Sequence, residues 1–145
     1  MIKNVKLGKN VKIPHPELVN LYECEIGDNS FVGPFVEITK GVVIGKRCRI
    51  QSHSFICSGV TLGNDVFIGH GVMFTNDKHP KVNNKNWVME KTLIGNGSSI
   101  GSNSTILPVK IGKNVLVGAG TVITKDIKDN TIIYSNYIKT ERPRG

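Results

Sequence analysis

Large apolar residues recur at every sixth position through the middle of the chain. Stepping by six from Ile26 meets Val32, Ile38, Ile44, Ile50, Ile56, Leu62, Ile68 and Phe74, with no polar interruption. Glycine directly follows several of them, at Gly27, Gly33, Gly45, Gly63 and Gly69. Two residues before each stands a small or β-branched side chain, as at Cys24, Ser30, Cys48, Ser54 and Val66. The pattern resumes at Ile94, Ile100 and Ile106, and again at Ile111, Val117 and Ile123; an earlier copy lies at Leu7 and Ile13. Six residues advance an α-helix by about 600°, so an apolar stripe at this spacing walks around a helix surface. A short strand followed by a turn keeps it on one face. The β-branched residues suit strands, and the glycines, asparagines and aspartates suit corners. Three such strands per coil predict an all-β parallel β-helix in which residue n lies under residue n+18 and like residues stack.

Three breaks interrupt the period. Pro14-His15-Pro16-Glu17 opposes a regular strand. Ile68 and Ile94 are 26 residues apart rather than 18, which predicts eight inserted residues within a polar, basic loop over 76–91. Between Ile106 and Ile111 the step is five, a one-residue shortening beside Pro108. After Ile123 the period stops: a turn is expected over 125–130, a short strand over 131–134 and a basic tail over 135–145. The expectation is one domain over 1–145, a β-helix with a short tail.

Composition narrows the picture a little. The formal charge of +8 favours an anionic partner. The basic residues are spread along the chain, aromatics are few and no nucleic-acid motif is present, so a phosphorylated small molecule fits at least as well as nucleic acid. No apolar run is long enough to span a bilayer and the first residues do not form a signal peptide, so the expectation is no membrane and, by default, a cytoplasmic location. Cys24, Cys48 and Cys57 show no metal-ligand spacing, and two of them occupy the small inward positions of the repeat. They read as reduced core residues. The histidines show no metal-ligand spacing either, so no metal is implied.

This repeat resembles that of the hexapeptide-repeat acyltransferases, over about Leu7 to Ile138. The resemblance implies a left-handed β-helix, a hand that spacing alone does not give, and a homotrimer with sites between subunits. The run Gly69-His70-Gly71-Val72-Met73-Phe74 followed by Asn76-Asp77 is similar to the sugar-nucleotide 3-N-acetyltransferases, which make 3-acetamido sugars on UDP or dTDP for bacterial surface polysaccharides. That likeness implies acetyl-CoA as acyl donor, a nucleotide-sugar acceptor, and Asn76 and Asp77 beside the sugar amine. The chain departs from that group in three places. Ser58 stands where many relatives have Glu, Lys40 where some have His, and Ser135-Asn136 where Gly-Asn-Pro-Ala is usual.

At eighteen-residue spacing, corrected for the insertion and the deletion, Lys40, Ser58, Asn76, Ser102 and Ala119 form one corner column. Gly41, Gly59, Asp77, Asn103 and Gly120 form the next, and Phe35, His53, Gly71, Gly97 and Asn114 a third. His70 stacks over Ser52. The candidate catalytic residues are Asn76, Asp77 and His53; the candidate acceptor-binding residues are Gln51, Ser58, Lys40 and His79. The candidate CoA-binding residues are Gly71, Ser102, Ala119 and Lys125, with Lys139 and Arg142 in the tail as further phosphate partners. Backbone N–H groups around the corner glycines are candidate donors to the thioester oxygen. His79-Pro80 supports a rival. O-acetyltransferases of the galactoside and maltose type carry His-Pro in a comparable loop, and that histidine is their general base. An alcohol needs such a base; a sugar amine, once neutral, does not. A third reading is a non-catalytic trimeric scaffold. Asn and Asp are also ordinary corner residues, and His53 and His70 can simply be solvated.

Overall fold

A computed structural model describes residues 1–135. The chain is a left-handed parallel β-helix of about seven turns, with one three-residue 3-10 turn, Pro16–Leu18, as its helical content among the described residues. Among the described residues, nineteen short strands stack into three sheets of seven, six and six. The first face carries Glu37–Ile38, Phe55–Ile56, Met73–Phe74, Thr105–Ile106 and Val122–Ile123 in successive coils. The second carries Val43–Ile44, Val60–Leu62, Thr92–Ile94 and Lys110–Ile111. The third carries Arg49–Ile50, Phe67–Ile68, Ser99–Ile100 and Leu116–Val117. From Ile26 to Ile123 the period-six residues are buried, with Ile38, Ile50, Ile56, Ile68, Ile100 and Ile106 fully so, while Leu7 in the first coil is exposed.

The small inward positions solve a polar problem. Ser54 Oγ donates to the Gly69 carbonyl at 2.7 Å and accepts from the Val72 amide at 3.1 Å. Ser30, Ser98 and Ser104 repeat the arrangement in other coils. Each hydroxyl thereby closes two backbone groups that the bend leaves without ladder partners, at about 0.5–1.5 kcal/mol net per bond. The glycine after the core residue answers to coil spacing: a Cβ on Gly45 would lie 2.3 Å from the Gly63 carbonyl oxygen. All three cysteines are free and buried, Cys24 and Cys48 at the small inward positions of the repeat and Cys57 at the corner after Ile56.

The register corrects the length of the insertion. Leu62 pairs with Ile94, 32 residues on, where Ile44 pairs with Leu62, 18 on, so fourteen residues are inserted rather than eight. Ile94 therefore stacks on Leu62, and Ile68 stacks on Ile100. The columns past the loop shift accordingly. Because Phe74, Ile106 and Ile123 are register partners, Pro108 and Lys125 continue the column of Lys40, Ser58 and Asn76. Ser102 and Ala119 do not: Ser102 lies over His70, whose amide donates to Ser102 Oγ at 3.2 Å. Asn103 and Gly120 belong over Gly71, not over Asp77, as the bonds from the Asn103 amide to the His70 carbonyl and from the Gly120 amide to the Ser102 carbonyl show. Gly97 and Asn114 move to the column of Asp65. The one-residue shortening between Ile106 and Ile111 is present, with Ile94 paired to Ile111. The tail positions Asn136, Lys139 and Arg142 lie outside the described residues.

Candidate active site

The long loop leaves the prism where the first face turns into the second. Met73–Phe74 ends the strand, Thr75, Asn76 and Asp77 carry the chain outward, and Thr92–Ile94 brings it back. Asn76 is fastened at both ends: its Nδ2 donates to the Ser58 carbonyl one coil below at 3.0 Å, and its own carbonyl accepts from the Glu90 amide at 3.0 Å. That leaves Asn76 Oδ1 with no partner among the described residues. Asp77 is oriented by the His79 amide, which donates to its Oδ1 at 2.8 Å. Its second oxygen has no partner among the described residues. Glu90 closes the loop's neck by accepting from the Lys78 amide at 3.3 Å and pairing with its Nζ at 3.8 Å.

Two depressions meet at Asn76 and Asp77. One is a groove of about 470 Å³ along the first face, lined by Glu37, Thr39, Phe55, Ser58 and Pro80 besides the pair itself. The other, about 690 Å³, opens inside the loop against Lys81, Asn84 and Trp87. Both fall in the size range of small-molecule sites. Thr39 Oγ1 and Ser58 Oγ lie 3.0 Å apart across the groove. Cys57 also lines the groove. Burial pushes its thiol up to about 11, so at neutral pH it is a thiol and no nucleophile.

The sequence candidates divide between two corners. Lys40, Ser58, Asn76, Asp77, His79 and Lys125 belong to the corner between the first and second faces or to its loop. Lys40 is engaged there by Glu23 at 3.7 Å. Gln51, His53, Gly71, Ser102 and Ala119 belong to the corner between the third and first faces. The whole width of the first face separates the two sets within one chain.

At that second corner His53 stacks on Phe35 with ring centroids 4.9 Å apart, and His70 Nδ1 lies 2.9 Å from Ser52 Oγ. Phe35 and His53 have φ of 60° and 64°. This corner column runs left-handed from coil to coil, through Gly71 and Asn103, so the conformation belongs to the fold and marks no special residue. The Gly71 and Gly120 amides are spent on the Ser52 and Ser102 carbonyls at 2.9 and 2.8 Å. Those corner glycines are therefore not the free donors expected from the sequence. Among the described residues no group of three His, Cys, Asp or Glu side chains is arranged to hold a metal ion. Nor does any described helix have the length and apolarity to cross a membrane.

Sequence reading missed Glu37, Phe55 and Thr39. Their signal was available: Glu37 and Phe55 are the outward residues directly before Ile38 and Ile56, register partners in adjacent coils.

Residues 23–58 match the family described as bacterial transferase hexapeptide (six repeats), and residues 91–125 match the hexapeptide repeat of succinyl-transferase. The chain carries hexapeptide repeats in both segments. Among curated proteins, the hexapeptide-repeat chain is similar to the bifunctional protein GlmU of Thermosipho africanus, at 33% identity over 153 residues. The match covers 90% of this chain and 31% of that protein, so the chain spans less than a third of that relative. Among solved structures it resembles AntD, an N-acyltransferase from Bacillus cereus bound to dTDP and coenzyme A. The TM-score is 0.80 and the identity 23%, over 97% of this chain and 84% of that one. It also resembles the acetyltransferase domain of PglB from Neisseria gonorrhoeae bound to acetyl coenzyme A. There the TM-score is 0.73 and the identity 24%, over 87% of this chain and 55% of that one. At these identities the likeness shows the fold of the hexapeptide-repeat chain.

Proposed function

We propose that this protein transfers the acetyl group of acetyl-CoA to the amino group of a nucleotide-linked amino sugar, with a dTDP- or UDP-linked 3-amino-deoxysugar as acceptor. The observation that carries the reading is the pair of oriented acceptors, Asn76 Oδ1 and the free oxygen of Asp77, at the junction of two depressions. Acceptor oxygens hold an ammonium or amine N–H; they offer nothing to a thioester oxygen. In the step, the ammonium first gives a proton to Asp77 or to water. The nitrogen lone pair then attacks the thioester carbonyl. The carbon–nitrogen bond forms, the carbon–sulfur bond breaks, the nitrogen sheds its second proton as it becomes an amide, and CoA leaves as a thiolate that takes up that proton, directly or through water. A neutral amine is already nucleophilic, so the site's work is positioning. AntD and PglB, both similar in fold, were solved with CoA species, and AntD with a nucleotide as well, which supports the donor and the acceptor class.

Nothing in the geometry favours the O-acetyl rival. The His79 side chain is exposed, and it is the residue's backbone amide that serves the site by holding Asp77. The division of candidates between two corners supports a homotrimer, because a closed ring brings one corner of each protomer against the other corner of the next. His53, Ser102 and Ala119 of one chain would then face Asn76 of its neighbour. Lys125, exposed in the column of Asn76, is our candidate partner for a CoA phosphate, a role its charge and exposure support. The reaction is tested by offering acetyl-CoA with a panel of amino- and hydroxy-sugar nucleotides and following release of free thiol. Turnover confined to amino acceptors supports the proposal. No turnover with any of them leaves the scaffold reading standing.

A further inference from the structure

We infer that the groove on the first face is the acceptor's sugar seat, with the pyranose ring on Phe55 and its hydroxyls on Glu37, and that the nucleotide points the other way, toward Lys81 and Trp87. The inference rests on the proposed N-acetyl transfer and adds which end of the acceptor lies where.

Glu37 and Phe55 are half-buried register partners on the outer side of the first face. Adjacent strands lie about 4.8 Å apart, so Glu37 sits two coils, roughly 10 Å along the axis, from the coil of Asn76, with Phe55 between them. That is the reach of one hexose with its substituents. The Glu37 carboxylate is held in place by the Asn20 amide group. An oriented carboxylate accepts hydrogen bonds and donates none, and it suits a polyol edge. The neighbouring aromatic ring suits the apolar C–H face of the same sugar.

Charge sets the direction. A diphosphate laid along this groove would face Glu37 and Asp77, two like charges. The depression on the far side of Asn76 and Asp77 holds no acid besides Asp77 itself and is lined by Lys81 and the partly exposed Trp87 indole. Lys81 makes no ion pair among the described residues. Phosphates fit that lysine, and a base can stack on the indole. The pair shared by both depressions falls where the amine must be.

The test compares KM and kcat for a nucleoside-diphosphate amino sugar and for the same amino sugar without its nucleotide. The variants are Glu37→Gln, Phe55→Leu, Lys81→Ala and Trp87→Ala, each checked for native circular dichroism. Glu37→Gln and Phe55→Leu should raise KM for both acceptors by about tenfold to a hundredfold, with KM for acetyl-CoA within about twofold. Lys81→Ala and Trp87→Ala should raise KM for the nucleotide-linked acceptor alone. Unchanged KM in folded Glu37→Gln and Phe55→Leu overturns the sugar seat while leaving the reaction intact, and equal effects of Lys81→Ala on both acceptors overturn the direction. If the unaltered protein acetylates neither sugar, the proposed reaction fails, and saturation-transfer NMR decides the seat separately. Sugar-proton saturation that Phe55→Leu abolishes upholds it, and no saturation with the unaltered protein overturns it.

Discussion

Replacing Asn76 by Ala should cost more kcat/KM than replacing His79 by Ala, and the structure gives the sizes. Asn76 presents Oδ1 to the junction of the two depressions because its Nδ2 is fastened to the Ser58 carbonyl at 3.0 Å. Truncation removes both the fastener and the acceptor. One hydrogen bond to a charged or reacting group is worth roughly 1.5–3 kcal/mol, on the order of tenfold to a hundredfold in rate. His79 acts on the site through its amide, 2.8 Å from Asp77 Oδ1, and alanine keeps that amide. Its loss should therefore cost about tenfold or less. The assay is thiol release at subsaturating acceptor, with each variant's fold checked. The pH profile is a second reading: the limb set by the amine's own ionisation should survive in His79→Ala. A loss of roughly a hundredfold to ten-thousandfold in His79→Ala, the size of a general base, with Asn76→Ala nearly untouched, would refute the reasoning and point to an alcohol acceptor.

Three further outcomes are expected. Ile68 is fully buried between Ile50 and Ile100. Ile68→Ala should cost about 2–5 kcal/mol in denaturant unfolding, and Ile68→Asp should not fold; a soluble, cooperative Ile68→Asp protein contradicts the register. Burial raises the Cys24 and Cys57 thiols from 9.0 to about 11, so the folded state favours their neutral form. That contribution is complete below pH 9 and is lost as pH rises toward about 11, and thiol alkylation at pH 8 should be slow until urea unfolds the chain; rapid native alkylation contradicts it. Sedimentation at micromolar concentration should give a trimer, and a fully active monomer would remove the shared site.

The core was readable residue by residue, because inward positions recur at a period that no other element satisfies. The length of the insertion was not, for a physical reason. Each face of the prism repeats the same hexad, so a chain that resumes at Ile94 fits any of the three faces, and insertions of eight or fourteen residues leave the same apolar spacing. Only strand pairing decides, and Leu62 with Ile94 decides for fourteen. An eight-residue insertion sets Ser102 and Ala119 at Asn76's corner and the observed register sets them at His70's, while Asn76, Asp77 and Ser58, all before the loop's end, keep their places in both. The groove was missed for a different reason. Part of its lining comes from outward strand positions rather than corners, and there Glu37 and Phe55 stand in register in adjacent coils.

The most direct test of the central claim is a matched pair of acceptors: a nucleotide-linked sugar with an amino group at one carbon, and the same molecule with a hydroxyl there. Each is incubated with acetyl-CoA, and products are identified by mass alongside released thiol. The account predicts stoichiometric thiol and amide from the amino sugar, and neither thiol nor ester from the hydroxy sugar above the rate without protein. Ester formation on the hydroxy sugar at a comparable rate, or acetyl-CoA left intact with both, would contradict it.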